Sequence, residues 1–144
     1  MKINTYLNFN GNCAQALAFY EQHLGAKILF STTYSQMPGA KDIPPGQENF
    51  VMHARLALGD TILMGSDVPP SMKWEPMRSA YISLGVDTDA EAERLYAALS
   101  QGAEIFMPLQ ATFYASKFAM LRDKFGISWM IIHELPMPSG PPST

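Results

Sequence analysis

His53 and Arg55, two residues apart in FVMHARLAL, form the best polar pair in the sequence. On an extended strand, residues i and i+2 point to the same side. Val51, His53, Arg55 and Ala57 therefore share one face, and Phe50, Met52, Ala54 and Leu56 the other. An arginine in that position can hold an anionic or carbonyl oxygen while the histidine moves a proton beside it. The competing reading is a surface pair on the solvent side of a strand, or a histidine satisfied by a backbone carbonyl, and the spacing alone leans that way. His23 falls in a helix-forming segment. His133 and Glu134 are neighbours in ISWMIIHE, so they point to opposite faces and cannot both chelate one ion. Glu134 shares a face with Met130 but lies roughly 13 Å along the strand. Cys13 sits in the first turn of an expected helix, where the dipole could lower its pKa. No histidine pairs with it by spacing, so a small buried residue is the default. Asp123 and Gly126 read as a turn into the last strand.

The 144 residues are 47% apolar and 16% charged, with a net charge of −3, the balance of a globular chain able to bury one core. No basic run stands out, which argues against a nucleic-acid partner. The longest apolar run near the end, WMII, is far below the ~20 residues a bilayer-spanning helix needs. MKINTYLNFN has one lysine and no apolar core, so it does not read as a secretion signal. One cysteine cannot form an intrachain disulfide, which fits a reducing compartment. The expected location is the cytoplasm, with no membrane partner.

Two segments read alike: AQALAFYEQHLGAKILF from Ala14 and AEAERLYAALSQGAEIFM from Ala90. Tyr20 aligns with Tyr96 at a shift of 76 residues, and Gly25 with Gly102 at a shift of 77. Each has apolar residues at helical spacing, then a glycine suited to the left-handed turn that ends a helix, then a strand-like run. Thr88-Asp89-Ala90-Glu91 has the spacing of a capping box. INTYLNF and SAYISLGV precede the two helices. FVMHARLAL and TILMGS follow the first helix and its strand, KFAMLR and ISWMIIHE the second. The unit is β-α-β-β-β, present twice, over residues 1–66 and 79–135, with a linker at 67–78 and a disordered tail at 136–144. QMPGAKDIPPGQ, from Gln36, is a Pro/Gly-rich loop placed to act as a flap. The expected fold is α+β, the two modules forming an eight-stranded concave half-barrel with helices outside. The residues expected to line its pocket are Tyr6, Met64, Tyr81, Phe113, Tyr114, Phe118 and Met130, and for any one of them plain core packing competes. Trp129 points away from Met130. Ten methionines suit either a pliable pocket or a loosely specified core.

This duplicated pattern resembles the vicinal oxygen chelate superfamily of glyoxalase I, bleomycin-resistance proteins and extradiol dioxygenases. YLNFNGNCAQALAFYEQHLGA, HARLALGDTILMGSD and QATFYASKFAMLRDKFGISWMI resemble its PhnB-like branch, which some catalogues label after 3-demethylubiquinone methyltransferase. The superfamily's enzymes place His, Gln or Glu on the first and last strand of each module, around one divalent ion. Carried over one at a time, those positions fall at Asn4 or Thr5, near Leu63 to Gly65, at Tyr81 and at Met130. None is a standard ligand for a hard cation. The resemblance therefore implies a protein that binds a small metabolite without the classical metal site, with no cofactor expected and His53 and Arg55 as weak catalytic candidates. A homodimer is expected, since relatives commonly associate and open strand edges invite pairing. The alternatives are a metal-dependent lyase, isomerase or dioxygenase, in which a divalent metal is recruited elsewhere, and a purely structural dimer. Methyl transfer is discounted, because no glycine-rich strand-to-helix loop suits S-adenosylmethionine.

Overall fold

Leu7 and Phe9 are buried and Tyr6 is exposed in the first strand, β1 (Tyr6–Phe9), the alternation that a strand with one covered face requires. The computed structural model describes residues 1–136; residues 137–144, most of the expected tail, lie outside the described residues. After β1 comes helix α1 (Cys13–Leu24), whose buried Cys13, Ala16, Leu17, Tyr20 and Leu24 recur every three or four residues. It stops at Gly25, whose φ of 71° is the left-handed conformation that costs glycine nothing. Strand β2 (Lys27–Thr33) leads through a single 3-10 turn (Tyr34–Gln36) into the Pro/Gly-rich loop, then β3 (Val51–Leu58) and β4 (Thr61–Asp67).

These strands form one sheet in the order β1-β4-β3-β2, with β1 parallel to β4 and the other pairs antiparallel. Helix α1 packs across β2, β3 and β4 on one face only. Phe9, Tyr20 and Leu56 are almost wholly buried between helix and sheet, each contributing roughly 1.5–3 kcal/mol. Asn12 makes no side-chain cap for α1. The buried carboxylate of Asp67, at the end of β4, accepts instead from Cys13 N at 2.9 Å and from Val51 N at 2.8 Å, tying helix, β3 and β4 together.

The second module repeats the plan with β5 (Ile82–Gly85), α2 (Asp89–Leu99), β6 (Glu104–Gln110), β7 (Ala115–Arg122) and β8 (Ser128–Glu134). Its sheet order, β5-β8-β7-β6, matches the first position by position. The chain divides into two compact units, with the break between Pro76 and Met77. Trp129, Leu99, Leu121 and Ile131 are buried where α2 meets β7 and β8. Thr88 Oγ1 accepts from Glu91 N at 3.1 Å, one half of the expected capping box. The other half is not made, because the Glu91 carboxylate turns forward to Arg94 at 3.3 Å. Asp123 folds the β7–β8 turn, its Oδ1 accepting from Phe125 N and Ile127 N and its Oδ2 from the Trp129 indole.

The modules differ in one connection: from its second to its third strand the second uses residues 111–114, whereas the first uses residues 34–50.

Candidate functional site

In the first module, strand register sets the site. Tyr6 lies opposite Met64, Met64 opposite Arg55, and Arg55 opposite Phe30, a row crossing all four strands. Ala54, Leu56 and Leu63 are buried towards α1, so this row lies on the face the helix leaves uncovered. His53 stands in the next row, and its Nδ1 lies 3.1 Å from the Tyr6 hydroxyl. The two rings stack with centroids 5.7 Å apart, and Phe30 closes on the imidazole at 6.2 Å. The sequence left two readings of His53 open. Here its partner is a phenol on the edge strand β1, reached across β4, rather than a backbone carbonyl. Arg55 is exposed and forms no ion pair or hydrogen bond among the described residues. Beyond this row, the Tyr34 hydroxyl donates to the Asp67 carbonyl at 3.0 Å. Burial first, then the nearby Asp67 and Tyr6, push its pKa above the usual phenol range.

Such a surface can grip one anionic oxygen through Arg55, place an aromatic or aliphatic body between Phe30, Tyr6 and Met64, and exchange a hydrogen bond with the Tyr6–His53 pair.

The second module has a different uncovered face. Ser83, Met130, Met120 and Met107 form the row equivalent to Tyr6, Met64, Arg55 and Phe30. Phe118 pairs with Ile132 in the next row and is buried under Tyr114, whose ring meets it edge-on at 5.6 Å. Phe113 is 93% exposed and touches Tyr114 only from outside. Tyr81 lies one residue ahead of β5, edge-on to Phe106 at 6.4 Å, and the Arg122 guanidinium covers that same ring while pairing with Glu104. The first module thus gathers Tyr6, His53, Arg55 and Met64. The second spreads Tyr81, Met130 and the Phe113–Tyr114–Phe118 group over different rows. Phe30, Tyr34, Met107 and Met120 were absent from the sequence-based set. Pairing between distant strands brings them in, and only the alternation within KILFSTTY, EIFMPL and KFAMLR hinted at it.

Register shows what faces two of the last-strand positions across the ladder. The residue opposite Met64 is Tyr6, not Asn4 or Thr5; Asn4 spends its amide on the Ile62 carbonyl at 2.9 Å. The residue opposite Met130 is Ser83, not Tyr81. A phenol, a hydroxyl and two thioethers do not fit a hard divalent ion in either module. No group of three or more His, Cys, Asp or Glu side chains suited to a metal occurs among the described residues.

Three further groups are structural by geometry. Cys13 is fully buried, and that burial, reinforced by the Asp67 charge, pushes its thiol far above the ordinary range, against the lowering that a helix dipole alone would give. Ser116, His133 and Asp89 meet in a triangle: Ser116 Oγ to Asp89 Oδ1 is 2.6 Å, His133 Nδ1 to Asp89 Oδ1 is 2.7 Å, and Ser116 Oγ to His133 Nδ1 is 2.8 Å. Serine and carboxylate share one ring nitrogen, so this is a clamp on the start of α2 and not a nucleophile relay. Trp129 lies behind the sheet, fully buried, as its placement opposite Met130 requires.

A family model described as 3-demethylubiquinone-9 3-methyltransferase matches residues 1–132. The chain belongs to this PhnB-like family. It is 32% identical to protein YjdN of Escherichia coli K12 over 143 residues, covering 91% of this chain and 94% of that one. Protein PA1353 of Pseudomonas aeruginosa shares 42% identity at a TM-score of 0.83, over 93% of this chain and 98% of that one. A Bacillus cereus PhnB protein, given the same methyltransferase description, shares 28% identity at a TM-score of 0.76, over 92% and 99%. More distant members of the glyoxalase/bleomycin resistance/dioxygenase superfamily share the fold alone. Paired β-α-β-β-β modules are therefore the architecture of this PhnB-like chain. No helix among the described residues is long and apolar enough to cross a membrane.

Proposed function

We propose that this PhnB-like protein binds a small, partly apolar metabolite carrying one anionic or carbonyl oxygen, without a protein-held metal ion. The observation that carries this reading is Arg55, a cation without a partner among the described residues, set among Phe30, Met64 and Tyr6 in one row of the open face. A guanidinium that contributes to folding is usually found with a carboxylate or carbonyl, so one left open among aromatic side chains is arranged for an incoming acceptor. The Tyr6–His53 pair supplies the second polar contact and fixes the ligand's orientation. Tyr6 and Met64, expected from the sequence to line a pocket, belong to this row; Tyr81, Phe113, Tyr114, Phe118 and Met130 are proposed as ligand contacts on the second module's own sheet. Methyl transfer is not part of it: the turn between β1 and α1 has its one glycine, Gly11, covered by the Phe50 ring.

The reading includes a cytoplasmic homodimer. Support for a second copy comes from exposed apolar pairs on the outer strands, Leu29 with Phe30 and Ile105 with Phe106. The single, buried thiol of Cys13 fits a reducing compartment.

A thermal-shift screen of metabolites against the parent protein, Arg55→Ala and His53→Ala tests the proposal. A carboxylate or phosphate ligand should stabilise the parent, lose most of its effect with Arg55→Ala and weaken with His53→Ala. Equal stabilisation of all three proteins ends the assignment of this site.

A further inference from the structure

The loop between β2 and β3 is longer than the fold requires. The second module closes the equivalent connection with residues 111–114, and the first spends residues 34–50 on it. Long loops without secondary structure inside compact domains are uncommon and often functional. This one is built from successive tight turns: Ala40 N bonds Met37 O at 3.0 Å, Gln47 N bonds Pro44 O at 3.1 Å, and Phe50 N bonds Gln47 O at 3.1 Å. Tyr34 N to Phe50 O, at 3.0 Å, closes its base. Asp42 holds a φ of 59°, a conformation that costs a residue with a Cβ about 1 kcal/mol and persists only where its surroundings fix it.

The turns, with Pro70 and Ser71, border an open hollow of about 440 Å³, inside the range of small-molecule sites. Met37, Ile43, Pro44, Pro70 and the Tyr34 ring give it apolar walls, with Gln47 among its polar groups. Two charges also line it, Lys41 and Asp42, both exposed and neither paired with any opposite charge among the described residues. A simple anion would satisfy Lys41 and meet Asp42 as a like charge; a simple cation would do the reverse. A compact molecule bearing both an ammonium and a carboxylate answers both, while its apolar body takes the walls.

We infer that the β2–β3 loop of the first module forms a separate binding site for a zwitterion with an apolar body, of the class of the apolar α-amino acids. Arg55 and His53 do not line it, so the site stands independently of the open-face proposal.

The test is isotope-edited NMR titration of the full chain with L-leucine, L-methionine and L-phenylalanine. N-acetyl-L-phenylalanine, which lacks the ammonium, and L-phenylalaninamide, which lacks the carboxylate, serve as the paired probes. At least one amino acid should give saturable shifts at loop residues and at Pro70–Ser71, and each modified probe should bind at least about tenfold more weakly than phenylalanine. Lys41→Gln should weaken phenylalanine but not the amide, which loses a like charge and binds as well or more tightly. Asp42→Asn, which keeps a residue tolerant of positive φ, should weaken phenylalanine but not the N-acetyl form, which loses a like charge and binds as well or more tightly. Arg55→Ala should alter none of these. The inference is overturned if no amino acid gives saturable shifts, if the modified probes bind as well as phenylalanine, or if both loop variants bind like the parent.

Discussion

Arg55 and Asp67 show how differently one charge behaves on the two faces of a sheet. Arg55 lies in the open and is free to meet a ligand. Asp67 is 1% exposed and holds two backbone N–H groups that would otherwise be buried without partners. An asparagine there keeps one acceptor and turns an NH2 towards the other donor, so Asp67→Asn should cost about 2–3 kcal/mol in urea unfolding. A loss within error of zero would show that the bonds are not made. Asp89 makes a pH-dependent contribution instead. The Ser116 hydroxyl first, and His133 second, hold its pKa below the ordinary 3.8. A carboxyl whose folded pKa is depressed stabilises the fold above its unfolded pKa, and the contribution fades as pH falls through the folded value. The Asp89 carboxyl should therefore titrate below pH 3.8 by NMR, and Ser116→Ala should move it upwards. An unchanged titration in that variant would remove Ser116 from the clamp.

At the scale of elements, the helices and most strands were legible because their apolar spacing reports which face is covered. Ala16, Leu17, Tyr20 and Leu24 gave α1, and Gly25 gave its end. The edges of the first strands were not legible: INTYLNF contributes only Tyr6–Phe9 and SAYISLGV only Ile82–Gly85, because ladder bonds to β4 and β8 decide where pairing starts. Register was equally out of reach, since the alternation says which face a residue takes but not which partner it meets. That is why the sequence did not show that Tyr6 meets Met64 and Ser83 meets Met130. The turn from β1 into α1 offers a check on packing between elements. Gly11 has a φ of 85°, and a Cβ added there would lie 2.7 Å from the Phe50 ring. Gly11→Ala meets both strain and a clash, so a loss of about 2–3 kcal/mol is expected, and adding Phe50→Leu should return part of it. If the double variant is no more stable than Gly11→Ala alone, the ring is not the obstacle.

At the scale of the whole molecule, the repeated segments announced the duplication, and the two sheets share one strand order because each copy folds by the same local logic. Sequence comparison of the copies says less about function, since the proposed site lies where they have diverged. Arg55 and Met120 hold equivalent places, as do Tyr6 and Ser83. The copies do agree in one respect that bears on assembly. Each outer strand exposes an adjacent apolar pair: Leu29 at 48% with Phe30 at 50%, and Ile105 at 38% with Phe106 at 40%. Single exposed apolar residues are ordinary, but the same pair on both edges of a duplicated fold is the pattern of surfaces covered by another chain. Lysine at Leu29 and Ile105 would put charge on those edges without entering either core or the Arg55 row. Sedimentation across a concentration series should then give twice 15.9 kDa for the parent and 15.9 kDa for the Leu29→Lys/Ile105→Lys variant, with little change in melting temperature. A parent that sediments as a single copy throughout removes the homodimer. A variant that stays paired moves the interface elsewhere on the chain.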